Sequence, residues 1–257
     1  MSVTDVSTDA EAAVERIRRS WGPVGAMLPV VFTGSVPIDA QRAAVRALER
    51  AGYGAAWTNE VLGGKDALVQ AAVLLAATER MSFGAAVANI WARQPETMQA
   101  AAAQLAQAYP GRFALGIGVG YPEQAAAAGR EFGRPLATMR DYRQRMDRPT
   151  QPPAPAAAFA RILGAHGPRM LELAAEITDG AVQVMQPPEA TARARAALGP
   201  RKVLVAGLRA AEDPGDVAAR VREHTEAGAD HVVLMVAPDG DFAAGVEQLE
   251  RLAPAPR

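Results

Sequence analysis

The sequence predicts a single α/β domain built as a (β/α)8 TIM barrel of parallel strands, and three observations support this class. The chain has 257 residues, of which 49% are hydrophobic and 21% charged, enough to bury one large core. Short apolar runs alternate with amphipathic segments of helical length along most of the chain. Eight such pairs can be counted, and eight parallel strands close a barrel. An open doubly wound sheet remains an alternative, because periodicity does not show closure.

The first half of the chain supplies four pairs, preceded by an N-terminal helix or tail over residues 1–20. The first strand is apolar throughout, as expected of a strand covered on both faces. Its helix stops at Gly52, and Pro95 lies in the first turn of the third helix. The predicted strands are 24–30, 54–58, 83–88 and 113–118, and the predicted helices are 38–51, 66–79, 95–108 and 135–146. Residues 121–134 are predicted to form a loop.

The second half follows a segment rich in proline and alanine, residues 148–158. Its composition is typical of an extended connector, and it resembles a linker between domains. We reject the linker interpretation because the same alternation resumes directly after it. The remaining predicted strands are 161–166, 180–185, 202–207 and 230–236, and the helices are 168–176, 188–198, 213–227 and 241–252. We therefore assign residues 1–257 to one domain.

Composition excludes several classes of function. The 27 basic and 28 acidic residues give a net charge of −1, so no basic face is expected to recruit nucleic acid. The absence of cysteine excludes disulfides, thiolate metal sites and cysteine nucleophiles. The N-terminus lacks a secretory signal, and no long uncharged apolar segment predicts a membrane span. We expect a cytoplasmic protein whose partner is a small molecule.

In a barrel of this kind the active site lies at the carboxyl ends of the strands. The residues there include few conventional catalysts. Glu60 and His166 are the only candidates for acid–base or metal chemistry, and two side chains do not make a metal site. A Schiff-base lysine is not expected, because Lys65 lies where a helix starts and Lys202 begins a strand. His224 is expected to be exposed on a helix. If the chain is an enzyme, a bound cofactor should carry the chemistry.

Two segments suit such a cofactor. Small residues and glycines over 83–121 allow a flat ligand to approach the backbone. Gly167, Pro168 and Arg169 mark a strand that runs directly into a helix, whose free N–H groups and positive dipole end favour a phosphate. An ordinary turn with Arg169 in solvent is the alternative.

Several segments in the same order resemble the bacterial luciferase-like monooxygenase superfamily. They are RFALGIGVGY after AYPG, GAAVANIWARQPETMQAAAAQLAQ, and ILGAHGPRMLELAAEITDGAVQVMQPPE. The resemblance covers about residues 22–200, returns over 226–236, and is nearest to the oxidoreductases that depend on the deazaflavin coenzyme F-420. One departure is that the sixth helix passes to the seventh strand without the helical insertion usual in these relatives. A more open substrate pocket follows from that departure.

The resemblance implies a flavin or deazaflavin at the strand ends and, commonly, a homodimer. It places a cis peptide within Ala86-Val87-Ala88. The cofactor-binding positions that it implies are Asn59, Ala86, Val87, Ala88, Asn89, Gly118, Gly120, Ala165, His166, Gly167, Pro168 and Arg169. Among them, Gly118 and Gly120 would leave room for the ribityl chain, and 167–169 would hold the phosphate.

The resemblance further implies hydride transfer between coenzyme F-420 and a small organic substrate. Glu60 or His166 would be the proton donor or acceptor. An FMN-dependent monooxygenase and a non-catalytic flavin-binding barrel remain alternative functions.

Overall fold

Parallel strands enclose the interior of this protein in a computed structural model that describes residues 14–15 and 17–254. The strands of the described chain are β1 (Val24–Met27), β2 (Ala55–Thr58), β3 (Ser82–Ala85), β4 (Ala88–Asn89), β5 (Phe113–Gly118), β6 (Ala160–Gly164), β7 (Gly180–Val184), β8 (Val203–Arg209) and β9 (His231–Met235). Their order is β3-β2-β1-β9-β8-β7-β6-β5-β4, and β3 also pairs with β5. That last pairing closes the sheet. Because β3 and β4 share the third position, the barrel has the eight strands that the sequence predicts.

Helices cover the outside of this barrel. Those with complete bounds are α1 (Ile38–Ala51), α2 (Ala67–Leu75), α3 (Pro95–Ala108), α4 (Pro122–Ala127), α5 (Pro135–Met146), α6 (Pro168–Ile177), α7 (Pro188–Leu198), α8 (Pro214–Glu226) and α9 (Phe242–Arg251). Of the predicted N-terminal segment 1–20, residues 14–15 and 17–20 are helical, and the rest lies outside the described residues. None of the helices in the described part is long and apolar enough to cross a bilayer.

Most element bounds agree with the sequence prediction, and α1, α3, α5 and α7 agree at both ends. Two predictions are wrong. The predicted loop 121–134 contains the helix α4, which starts at Pro122. Its N-cap residue, Tyr121, donates its backbone N–H to Gln124 Oε1 at 3.0 Å. This helix is too short to show an apolar stripe in the sequence. The predicted third strand, 83–88, is interrupted at residues 86 and 87, which lie outside the ladder.

Aromatic rings fill the amino-terminal half of the barrel interior. Trp57 Nε1 donates to His231 Nε2 at 3.0 Å, and the ring of Trp21 meets that of Trp57 edge to face at 4.9 Å. Neighbouring strands carry glycine where these rings need space. A Cβ atom on Gly25 would lie 2.3 Å from His231 Nε2, and one on Gly84 would lie 2.3 Å from the Trp57 ring. The interior is therefore packed below the mouth.

The predicted exposure of His224 is wrong. His224 is buried, and its Nδ1 lies 2.9 Å from Thr191 Oγ1, so this face of α8 packs against α7. Burial lowers the pKa of His224, which favours the neutral imidazole. Its role is therefore in packing.

Two segments that differ from the regular alternation, residues 148–158 and the connection from α7 to β8, are connections within the barrel. Residues 148–158 contain neither helix nor strand, and β6, which follows them, pairs directly with β5. Between α7, ending at Leu198, and β8, starting at Val203, the chain has only a short turn, so the usual insertion is absent as predicted. The assignment of 1–257 to one domain extends beyond the described range and stays a prediction.

Candidate functional site

The barrel mouth, meaning the carboxyl ends of the strands and the loops after them, has an apolar floor. The interior-facing side chains become partly exposed at this level, whereas those below are buried. This upper apolar layer consists of Val30, Ala86, Val87, Val184 and Met235. A partly exposed apolar surface at the mouth of a filled barrel suits the face of a flat ligand.

The break between β3 and β4 contributes two members of this layer. The peptide between Ala86 and Val87 is cis, within the triplet that the sequence comparison indicated. Cβ atoms on Gly118 and Gly164 would lie 2.4 Å and 3.1 Å from the γ-carbons of Val87. The glycines of β5 and β6 therefore accommodate Val87. The prediction that Gly118 leaves room for a ribityl chain stays a prediction, although Val87 occupies the space that a side chain there would take.

Asn89 and Gly120 belong to a polar network between β4 and α4. Asn89 is buried, accepts a hydrogen bond from Trp91 N at 2.9 Å, and donates to Gln124 Oε1 at 3.0 Å. Gly120 has a φ of 60°, and a Cβ atom there would lie 2.0 Å from the same Gln124 oxygen. Ala88 is buried in the short strand before them. The network ties the end of β4 to the start of α4.

Glu60 is a buried ion-pair partner. Its side chain is 2% exposed, its carboxylate pairs with the guanidinium of Arg93, and its Oε2 accepts from Asn89 N at 2.5 Å. Arg93 also pairs with Asp66 at 2.6 Å. Glu60 thus ties the β2–α2 loop to β4. Its role as proton donor stays a prediction, and sequence reasoning did not find the ion pair because its partners are 33 residues apart.

Asn59, the residue before Glu60, accepts a hydrogen bond from the ammonium group of Lys65. Lys65 Nζ donates to Asn59 Oδ1 at 2.6 Å, because a turn through Gly63, with a φ of 76°, returns the chain to β2. Two backbone bonds between Val61 and Lys65 hold this turn, at 3.0 Å and 2.8 Å. Sequence analysis missed Lys65 as a residue of the mouth. The Gly63-Gly64 pair was the available signal, since it permits a reversal just after the strand.

Burial lowers the pKa of Lys65 to about 8. Such a shift arises when an ammonium group loses water without gaining a nearby carboxylate. Within the described residues, no carboxylate lies within ion-pair distance of Lys65. Lys65 is therefore a partly buried cation without a counter-ion.

The start of α6, directly after β6, forms another part of the mouth. Ala165 is buried and bonds through its N–H to Val182 O at 3.1 Å, while residues 166–169 are exposed. Gly167 is the N-cap and offers no side chain to the free N–H groups of the first turn. Within the described chain, Arg169 has no side-chain partner. Although His166 is exposed at the surface, surrounding protein atoms partly desolvate its imidazole, and this lowers the pKa of His166 and favours the neutral form near pH 7.

Trp91 is partly buried beside this site. Its Nε1 donates to Val119 O at 2.7 Å, and its ring lies 6.0 Å from that of Phe132. These contacts make it part of the wall around α4. Among the residues that the structure describes, no group of three or more His, Asp or Glu side chains is placed to hold a metal ion.

The closed parallel barrel, with its packed interior, apolar mouth floor and uncapped helix start, defines a TIM-barrel protein with a candidate ligand site at the carboxyl ends of its strands. The family comparison agrees with the resemblance noted in the sequence. The chain belongs to the luciferase-like monooxygenase family, whose model matches residues 13–201.

The similarity to individual proteins is weaker than the match to the family model. A protein of Mycobacterium tuberculosis whose name describes a coenzyme F-420-dependent oxidoreductase is 29% identical over 194 residues, which cover 63% of this chain. The matched region spans 55% of that relative's length.

Solved structures share the fold. An F-420-dependent secondary alcohol dehydrogenase in complex with an F-420–acetone adduct superposes with a TM-score of 0.73 at 16% identity, covering 91% of this chain and 98% of that one. The oxygenating constituent of 3,6-diketocamphane monooxygenase of Pseudomonas putida, in complex with FMN, superposes with a TM-score of 0.71 at 15% identity. This superposition covers 91% of this chain and 98% of that one. At these identities the likeness shows the fold alone.

Proposed function

We propose that the chain is an oxidoreductase that binds a deazaflavin or flavin at the barrel mouth and transfers a hydride between coenzyme F-420 and a small organic substrate. Membership of the family supports the oxidoreductase class. The name of the M. tuberculosis relative and the F-420 adduct in the similar dehydrogenase support the deazaflavin.

The observation that carries the proposal is the proximity of the upper apolar layer to the start of α6. Val87 packs beside Gly164, and only two residues separate Gly164 from the N-cap Gly167. A surface for a ring and a site for an anion are therefore adjacent along one strand-to-helix connection. A cofactor with a flat ring and a phosphate requires both.

The chain's own residues would have distinct tasks at this site. Val87, Val184 and Met235 would exclude water from one face of the ring. Arg169 and the N–H groups of α6 would hold the phosphate, and neutral His166 would accept a proton from the substrate. When bound, the cofactor would supply the hydride acceptor or donor. Glu60, already paired with Arg93, would act by keeping the β2–α2 loop in place.

An FMN-dependent monooxygenase is the second candidate. It is favoured by the family that the chain matches and by the FMN complex among the similar structures. This candidate uses the same apolar floor and the same phosphate site, and differs in the reaction with oxygen.

Titration of the purified protein with coenzyme F-420 and with FMN, followed by fluorescence, tests both candidates. We expect saturable binding of F-420, and weaker or no binding of FMN. Tight FMN binding with substrate-stimulated oxygen uptake would favour the monooxygenase. Binding of neither cofactor would contradict both candidates and favour a cofactor-free barrel.

Replacing Arg169 with alanine should weaken cofactor binding by about 1 to 3 kcal/mol, because a charge-assisted hydrogen bond to phosphate is lost. Arg222→Ala is the matched control, since Arg222 is exposed in the middle of α8. The same fluorescence titration measures both variants. Equal affinities for Arg169→Ala and the unaltered protein would remove Arg169 from the site.

A further inference from the structure

A groove with a cavity volume of about 410 Å³ lies between the β1–α1 loop and α2. We call it the α2 groove. Three of the five exposed large hydrophobic side chains in the described residues line it, namely Phe32, Ile38 and Val69. Exposed hydrophobic side chains that cluster around one concavity indicate a binding surface, whereas scattered ones need no explanation.

One polar atom in the wall of this groove has no partner. Gln41 Nε2 donates to Val36 O at 2.8 Å, and Gln70 Nε2 donates to Gln41 Oε1 at 2.6 Å. Because Val36 O can only accept, these bonds determine the orientation of both amides. Gln70 Oε1 is left buried and without a hydrogen-bond partner in the described structure, on a residue that is 7% exposed. A ligand that carries an O–H or N–H donor would satisfy it.

The groove also contains the cation without a counter-ion. Lys65 lines the groove, and its ammonium group has one polar partner among the described residues, Asn59 Oδ1. Asp66, the other charged lining residue, accepts from two N–H groups of α2 and pairs with Arg93. The nearby Asp239 is engaged by Phe32 N at 2.7 Å. A bound carboxylate would supply the missing negative charge.

We propose that the α2 groove binds a small organic acid with an apolar body and a hydroxyl group. Its carboxylate pairs with Lys65, its hydrocarbon part lies against Phe32, Ile38 and Val69, and its hydroxyl donates to Gln70 Oε1. The three contacts match the three chemical features of the wall. The proposal depends on groove residues alone and does not require a bound cofactor.

Calorimetric titration of the cofactor-free protein with octanoate, octan-1-ol, octylamine and 3-hydroxyoctanoate tests this assignment. We expect octanoate to bind about tenfold more tightly than octan-1-ol, because it adds a charge-assisted hydrogen bond to Lys65, and octylamine to bind most weakly. The hydroxy acid should bind more tightly than octanoate. Equal affinities for octanoate and octan-1-ol would overturn the role of Lys65.

Lys65→Met should reduce octanoate affinity about tenfold and leave octan-1-ol binding unchanged. Lys65→Arg should largely restore octanoate binding. Lys202→Met is the matched control, because the Lys202 ammonium contacts Thr178 O at the amino end of the strands. Gln70→Met should abolish the preference for the hydroxy acid. Unchanged octanoate affinity in Lys65→Met would refute the proposal.

A measurement on the unaltered protein does not depend on any variant folding. With the pKa of Lys65 at about 8, octanoate binding at pH 8 should take up about half a proton, because the carboxylate favours the charged ammonium. Octanoate affinity should fall as pH rises from 7 to 9. If octanoate binding takes up no proton, the proposed ion pair with Lys65 is wrong.

The oligomeric state tests the alternative occupant, a second copy of the chain. If the protein is a dimer that Val69→Asp converts to monomer, and if it binds no acid, the groove is an interface between copies and the proposal is overturned.

Discussion

Replacing Glu60 with alanine should lower the free energy of unfolding by about 3 kcal/mol. Removing one partner of a buried ion pair typically costs about 3 to 5 kcal/mol, because the remaining charge stays buried without compensation. Here the lower figure applies, since Arg93 keeps its pair with Asp66. The variant also loses the acceptor for Asn89 N. Urea unfolding followed by circular dichroism measures the effect.

Glu176→Ala is the matched control for Glu60→Ala. Glu176 also pairs with an arginine, Arg140, but both side chains are exposed, and such pairs contribute about 0 to 1 kcal/mol. Similar unfolding free energies for the two variants would contradict a structural role for Glu60. Glu60→Gln removes the charge and keeps an acceptor for Asn89 N, so it should lose less stability than Glu60→Ala. Lost turnover in a folded Glu60→Gln protein would support the predicted proton transfer.

Replacing Gly84 with alanine should destabilise the protein by about 1 to 3 kcal/mol, as overpacking of a filled core does. The new Cβ atom would lie 2.3 Å from Cζ3 and 2.4 Å from Cε3 of Trp57. The indole ring has little freedom to move, because it donates to His231 and packs against Trp21. Thermal unfolding and urea unfolding both measure this loss.

Gly34→Ala is the control for Gly84→Ala, because no atom lies within 4 Å of a Cβ built there. It should change stability by less than about 0.5 kcal/mol. Combining Gly84→Ala with Trp57→Phe removes the overlapping ring carbons, so the double variant should lose less than the sum of the single changes. Strict additivity would show that the clash is relieved elsewhere.

The sequence predicted the barrel well because its signals are local. Apolar stripes mark the helices, and proline at the first helical position or glycine just after the last residue marks their ends. The two failures have different causes. Residues 122–127 make a helix too short for an apolar stripe, which is a local cause. The interruption at 86–87 accompanies the packing of Val87 beside Gly118 and Gly164, which lie on other strands and are distant in the sequence. Membership of the luciferase-like family, also suggested by the sequence, is confirmed.

The sequence predicted which residues lie at the candidate site, but it did not predict the contacts between them. Asn59, His166 and Arg169 do lie at the mouth, since every parallel strand delivers its last residues to the same end. Nothing in the sequence indicated that Glu60 pairs with Arg93 or that Lys65 reaches Asn59. His224 was expected at the surface and is buried against Thr191.

By itself the sequence therefore determined the fold class, the family and the end of the barrel that carries the candidate site, because these depend on periodicity and on residue order. Only the tertiary structure decided which charges are neutralised. Glu60 is compensated by an arginine from the segment after β4, whereas Lys65 is brought by a glycine turn into a groove whose one carboxylate, that of Asp66, pairs with Arg93 instead. Pairing of buried charges depends on distances across the fold, and no local pattern encodes them.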